Sequence, residues 1–268
     1  MSFFAITILA LIQGITEFLP VSSQAHLIFI PTLLGWAEHG RFLDVSIHLG
    51  TLLAVVIYFY KDLWDLFIKG FFPLLKGNLT REGFLVLYLV VGTLPCIGIG
   101  YFIHKIFGDG LRGISVIAYT SILFGILLYL IDIFMPQIKK LRDMTFLQAF
   151  LIGCAQVLSF LPGASRSGTT ITMARFLGFT REDSTRFSFL LSIPVVLGAL
   201  ILTGASAFQT DGISLFNEEL FWGVFVSFLS GIATISILMH WLRHHSFAPF
   251  MIYRISLGIG LLMWTFFS

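Results

Sequence analysis

Apolar residues run along this chain in blocks near 43–60, 84–103, 113–134, 187–207, 220–241 and 248–267. Each block approaches the roughly 20 residues that a helix needs to cross about 30 Å of hydrocarbon. The six blocks therefore predict transmembrane helices. Two further apolar stretches, 3–34 and 146–178, are each broken near the middle by Leu-Pro followed by small and polar residues. Proline ends or kinks a helix, so these stretches predict helix-loop-helix hairpins that enter the membrane and turn back. The expected fold is an all-α polytopic membrane protein, a single integral membrane domain over 1–268 with six transmembrane helices plus two opposed re-entrant hairpins.

Irregular backbone at membrane depth survives only inside protein or against a water-filled cavity, because lipid cannot satisfy the freed amides. The two breaks should then face one shared polar cavity. Phe18-Leu19-Pro20 and Phe160-Leu161-Pro162 are equivalent under an offset of 142, which suggests an inverted repeat with halves of roughly 1–135 and 146–268. If both hairpins return to the side they entered, loops 61–83, 135–145, 179–186 and 242–247 share one side and carry ten cations: Lys61, Lys69, Lys76, Arg81, Lys139, Lys140, Arg142, Arg181, Arg186 and Arg243. The other side carries three, Arg41, Lys105 and Arg112, with Asp211, Glu218 and Glu219. Cationic loops stay cytoplasmic, so loop 61–83 is expected inside and loop 208–219 outside.

Composition agrees with this pattern. The chain is 57% hydrophobic and only 11% charged, with a mean hydropathy of +0.95, whereas a soluble domain carries about 25% charged residues. A net charge of +2, scattered over short loops, implies no nucleic-acid partner. The N-terminus lacks a basic n-region and a small-residue cleavage site, so it is expected to be retained. Cys96 and Cys154 lie in apolar segments without partner spacing and read as packing residues.

The polar breaks carry the candidate chemistry, because ionisable groups within membrane segments are costly and mark working sites. Gln13 and Glu17 are four residues apart, on one face of a short helix. Glu17 there can hold Mg²⁺ or Ca²⁺ through oxygen or act as a general base, the alternative being a carboxylate capped by hydroxyls at a helix end. His26, following Ser22 and Ser23, can accept a hydroxyl proton or attack phosphorus. An interhelical hydrogen bond is its alternative role. The second break, Pro162-Gly163-Ala164-Ser165-Arg166-Ser167-Gly168-Thr169-Thr170, can aim backbone N–H groups at an anion while Arg166 grips phosphate oxygens in a bidentate fork. A structural turn with an interfacial Arg is the plainer reading. It lacks the Lys of a Walker loop. His48, Asp44 and Arg254 either line the cavity or sit near span ends within reach of water.

At these two motifs the chain resembles the undecaprenyl-diphosphate phosphatase, or bacitracin-resistance, family. Gln13, Glu17, Pro20, Ser22, Ser23 and His26 match its first motif in order, and Pro162, Gly163, Ser165, Arg166, Ser167, Gly168 and Thr170 match its second. The resemblance implies a multi-pass inner-membrane phosphatase that uses a divalent cation, Mg²⁺ or Ca²⁺, to remove the terminal phosphate of undecaprenyl diphosphate. That reaction recycles the lipid carrier of cell-wall synthesis. It further implies a cavity open to the periplasm, Glu17 as metal or acid-base residue, and His26 or a Ser as nucleophile. Arg166, Ser165, Ser167 and Thr170 would then bind diphosphate, with Gln13, Gly163 and Gly168 beside it. A homodimer stays open.

Three positions depart from the family pattern. Gln13 stands where many members have Glu, Ala25 where Gly often precedes the His, and His48 where a Gln is expected. The first leaves Glu17 as the sole carboxylate of its motif. A transporter or flippase for a polyprenyl phosphate is the alternative, since hairpins meeting at the midplane also describe secondary transporters. The lipid phosphatases with a Ser-Arg…His motif fit less well, because Thr172 stands six residues after Arg166.

Overall fold

The computed structural model describes residues 2–36, 41–107, 113–211 and 218–267. Arg112 and positions 212–217 of the loop expected outside lie beyond the described residues, as do the side chains of Arg41, Lys105 and Asp211. The described chain is helical: α1 (Phe3–Thr16), α2 (Ser23–Leu34), α3 (Arg41–Tyr58), α4 (Tyr60–Asp65), α5 (Phe72–Leu75), α6 (Arg81–Phe107), α7 (Ile114–Phe134), α8 (Phe146–Val157), α9 (Arg166–Phe176), α10 (Arg181–Asp211), α11 (Glu218–Trp241) and α12 (Ala248–Phe267). Five of these, α6, α7, α10, α11 and α12, contain an apolar run long enough to span a membrane. A sixth candidate is α3, which is followed by a helical segment bent from it by 71°.

The segment after that bend falls within the loop expected over 61–83, and its first part is helical. The chain stays helical through α4, a π-turn at Leu66–Phe71 and α5. The reason is amphipathicity. Trp64, Phe67, Ile68, Phe71, Phe72 and Leu75 are exposed apolar residues, while Lys61, Asp65 and Lys69 supply charge and Lys69 pairs with Asp65 at 2.8 Å. Apolar and charged side chains at helical spacing favour a continued helix over an unwound loop.

The broken stretches form helix pairs as expected. Their arms are 14, 12, 12 and 11 residues long. At about 1.5 Å per residue none reaches across ~30 Å of hydrocarbon. The two arms of each pair pack together; α1 also lies on α11 and α3, whereas α8 lies on α6. Phe18, in the first break, is inserted into the largest apolar cluster with Leu52, Val55, Phe59, Phe189 and Ile235, its ring 5.2 Å from that of Phe189 and edge-on. The Leu-Pro break is thereby pinned to α3 and α10.

One buried ionic node ties the helix ends together. Asp132, near the end of α7, accepts from Arg175 Nε at 3.1 Å, from Arg181 Nε at 2.8 Å and from the Phe247 amide at 3.2 Å. Arg175 also donates to the carbonyls of Asp132, Met135, Pro136 and Phe179. The node therefore joins the end of α7, the end of α9, the start of α10 and the approach to α12. A buried charge set of this kind persists because every group is satisfied, and losing one partner costs about 3–5 kcal/mol.

Candidate active site

Glu17 caps the C-terminus of α1, its amide bonded to the Gln13 carbonyl. The four-residue spacing puts the Gln13 and Glu17 side chains on one face, where Gln13 Nε2 donates to Glu17 Oε2 at 3.1 Å. The chain then turns through Pro20 so that Ser23, the first residue of α2, donates its hydroxyl to the same oxygen at 2.6 Å. From the other hairpin, Arg166 Nη2 reaches Glu17 Oε1 at 3.2 Å. Only 12% of the Arg166 side chain and 10% of that of Glu17 remain exposed, so this ion pair is screened by water and salt far less than a surface pair. The expectation that the two breaks share one place holds for Gln13, Glu17, Ser23 and Arg166.

The backbone at both breaks is unusual in the same way. Ser22 and Ser165 are the residues other than glycine with positive φ among the described residues, at 72° and 71°. Each is the N-cap of the following helix, Ser22 accepting from the Ala25 amide at 3.4 Å and Ser165 from the Gly168 amide at 3.1 Å. A non-glycine residue here costs on the order of 1–2 kcal/mol, and such residues gather where a loop must place a functional group. Here the turn sets Ser23 and Arg166, the next residue in each loop, against Glu17.

The remaining residues of the second break turn inward. Ser167 Oγ donates to the Leu19 carbonyl at 3.0 Å, stitching one break to the other. Thr170 Oγ1 lies 2.6 Å from Ser188 Oγ, and Thr170 also donates to the Arg166 carbonyl. These hydroxyls are themselves satisfied by backbone carbonyls and by each other in an apolar surrounding. Gly163, at φ 89°, has no room for a Cβ, which would overlap Thr120 Oγ1 and the Ile117 carbonyl. A Cβ on Gly168 would fall 2.9 Å from Arg254 Nη1.

Arg254 is fully buried, so it does not sit at a span end within reach of water. Its guanidinium donates to the Pro20 carbonyl at 3.1 Å, to Gly163 at 2.8 Å, to Ala164 at 3.0 Å and to Ser121 at 3.1 Å. It braces both breaks from behind. His26, also buried, places Nδ1 2.7 Å from the Ser22 carbonyl and Nε2 2.5 Å from the Tyr253 hydroxyl. His48 Nδ1 donates to the Asp44 carbonyl at 2.7 Å within α3. Sequence reading missed Tyr253 and Ser188; for Tyr253 the available signal was its place beside an Arg in an apolar span.

Two site atoms are buried without a hydrogen-bond partner among the described residues, Gln13 Oε1 and Arg166 Nε. A guanidinium has five N–H donors, and Arg166 places two, on Glu17 and on the Ser188 carbonyl at 3.3 Å. Spare donors on one side and a hydroxyl held by a carboxylate on the other suit an anionic substrate attacked by oxygen.

Fold and site together define a polytopic membrane protein with an ionised polar centre enclosed by two broken helix pairs. Residues 6–260 match the family described as bacitracin resistance protein BacA, and the chain belongs to that family. It is similar to the undecaprenyl-diphosphatase of Saccharophagus degradans, 42% identical over 97% of each chain. To that of Ruegeria pomeroyi it is 42% identical over 98% of each. The undecaprenyl-diphosphatase of Alteromonas mediterranea is 40% identical, over 99% of this chain and 100% of its own.

Proposed function

We propose that the chain is an undecaprenyl-diphosphate phosphatase, cleaving the terminal phosphate to leave undecaprenyl phosphate and inorganic phosphate and so recycling the cell-wall lipid carrier. The observation that carries this reading is the 2.6 Å bond from the Ser23 hydroxyl to Glu17, whose carboxylate is held by Arg166. The Ser23 oxygen attacks the terminal phosphorus as its proton passes to Glu17 Oε2. The bond from phosphorus to the bridging oxygen breaks, and undecaprenyl phosphate leaves with that electron pair. Arg166 holds non-bridging oxygens through its spare donors, where charge accumulates during transfer. Water then attacks the phosphoserine phosphorus and the bond from phosphorus to Ser23 Oγ breaks. Glu17 returns its proton to Ser23 Oγ, and the water leaves as the new oxygen of inorganic phosphate, releasing one proton to solvent.

A divalent cation belongs to this proposal. No group of three or more His, Cys, Asp or Glu gathers among the described residues, so a Mg²⁺ here would rest on one carboxylate and complete its shell with water and substrate phosphates. Glu17 and the unpartnered Gln13 Oε1 would hold it. When bound it would neutralise phosphate charge. The excess of cationic residues in the loops on one side of the spans supports a cytoplasmic location for that side. The setting we propose is a bacterial inner membrane, with the site reached from the periplasm. A transporter for the same lipid would need an anion clamp but no hydroxyl aimed at a carboxylate.

Phosphate release from undecaprenyl diphosphate by the purified protein in detergent tests the reading. Release should need a divalent cation and fall by on the order of 10³-fold in Ser23→Ala. Wild-type turnover in that variant would remove Ser23 as nucleophile, and no release by the wild type would reject the phosphatase.

A further inference from the structure

His26 and Tyr253 lie 227 residues apart, yet their rings are nearly parallel, 8° between planes with centroids 5.6 Å apart. The imidazole has a neighbour at each nitrogen, the Ser22 carbonyl at Nδ1 and the Tyr253 hydroxyl at Nε2. A carbonyl can only accept, so Nδ1 carries the proton. In a neutral imidazole Nε2 is then an acceptor, and the phenol donates to it. The tautomer follows from the two partners.

This chain of bonds ends at the strained residue of the first break. The Ser22 carbonyl belongs to the left-handed turn that delivers Ser23 to Glu17. Holding that carbonyl holds the direction in which Ser23 leaves the turn. The adjacent Arg254 serves the same loop through the Pro20 carbonyl. Consecutive residues of α12 therefore reach the first break at two points, Arg254 directly through its guanidinium and Tyr253 through the His26 imidazole of α2.

We infer that Tyr253 is a positioning residue for phosphoryl transfer: its hydroxyl locks His26 in the Nδ1–H tautomer, and His26 in turn fixes the Ser22 carbonyl and the Ser23 hydroxyl beside Glu17. This rests on the phosphatase reading for its catalytic consequence, and on the hydrogen-bond geometry alone for the tautomer. Tyr253 is 45% exposed whereas His26 is only 6% exposed, so the phenol can be altered without emptying the core.

Tyr253→Phe keeps the ring and removes the donor. In detergent, with undecaprenyl diphosphate as substrate, kcat should fall about tenfold while KM stays within about twofold. Histidine-¹⁵N spectra of the intact protein, with the His26 signals identified by their loss in His26→Gln, should show Nδ1 protonated in the wild type. In Tyr253→Phe the Nε2 resonance should move and a mixture of tautomers should appear. A wild-type spectrum with the proton on Nε2, or one that Tyr253→Phe leaves unchanged, would overturn the assignment. So would unaltered kcat in Tyr253→Phe alongside a loss confined to Tyr253→Leu, which is the result expected if the ring only packs. The spectrum needs no substrate, so failure of the phosphatase reading and failure of this pairing are told apart.

Discussion

Arg166 Nη2 stands 3.2 Å from Glu17 Oε1, joining two residues 149 positions apart and closing the two helix breaks into one site. Neither charge would be stable alone at this depth, since an unpaired ion at a membrane helix centre costs roughly 2.5–3.5 kcal/mol on insertion scales. Each makes the other tolerable, and both remain close to Ser23.

Glu17→Gln keeps size and hydrogen-bonding reach but removes the charge that accepts the Ser23 proton. Turnover should fall by on the order of 100-fold or more, with binding of a non-hydrolysable prenyl diphosphate largely kept. Excess Mg²⁺ or Ca²⁺ should not restore it. Steady-state kinetics with a parallel binding assay checks this, and near-normal kcat would take the proton transfer away from Glu17.

Arg166→Lys retains a positive charge but not the planar fork that reaches both Glu17 and the Ser188 carbonyl. Loss of activity of about 100-fold is expected, with folded yield little changed. Size-exclusion profiles together with phosphate release measure the two effects. Full turnover in the Lys variant would assign diphosphate recognition elsewhere.

Asp132→Ala leaves Arg175 and Arg181 facing each other without the carboxylate both now share. The expected cost is about 3 kcal/mol or more of stability. It should appear as a lower thermal midpoint in detergent. Because the node lies at the end of α9 opposite Arg166, the protein that remains folded should keep its substrate affinity.

Topology is checked by cysteine labelling in intact cells. Lys76→Cys should resist an impermeant reagent added outside and Glu218→Cys should react with it, as expected from the cation bias of the loops. The reverse pattern would invert the assignment.

What the sequence determined by itself was local: where apolar runs are long enough to span, where Leu-Pro interrupts them, and that Glu17 and Arg166 are too costly in such runs to be idle. Those statements need only the chain's own order and the price of polar groups in lipid. The tertiary structure alone decided partnership. Arg175 meets Asp132 across 43 positions, His26 meets Tyr253 across 227, and Arg254 meets the Pro20 carbonyl across 234. Helical periodicity records which face a residue occupies but not which helix lies opposite, so no reading of spacing could pair them. The left-handed Ser22 and Ser165 were hidden for a related reason, because serine prefers negative φ and is held otherwise only by its surroundings. Likewise the helical path from Tyr60 to Leu75 was hidden, because its charged residues read as loop composition while its apolar residues recur at helical spacing.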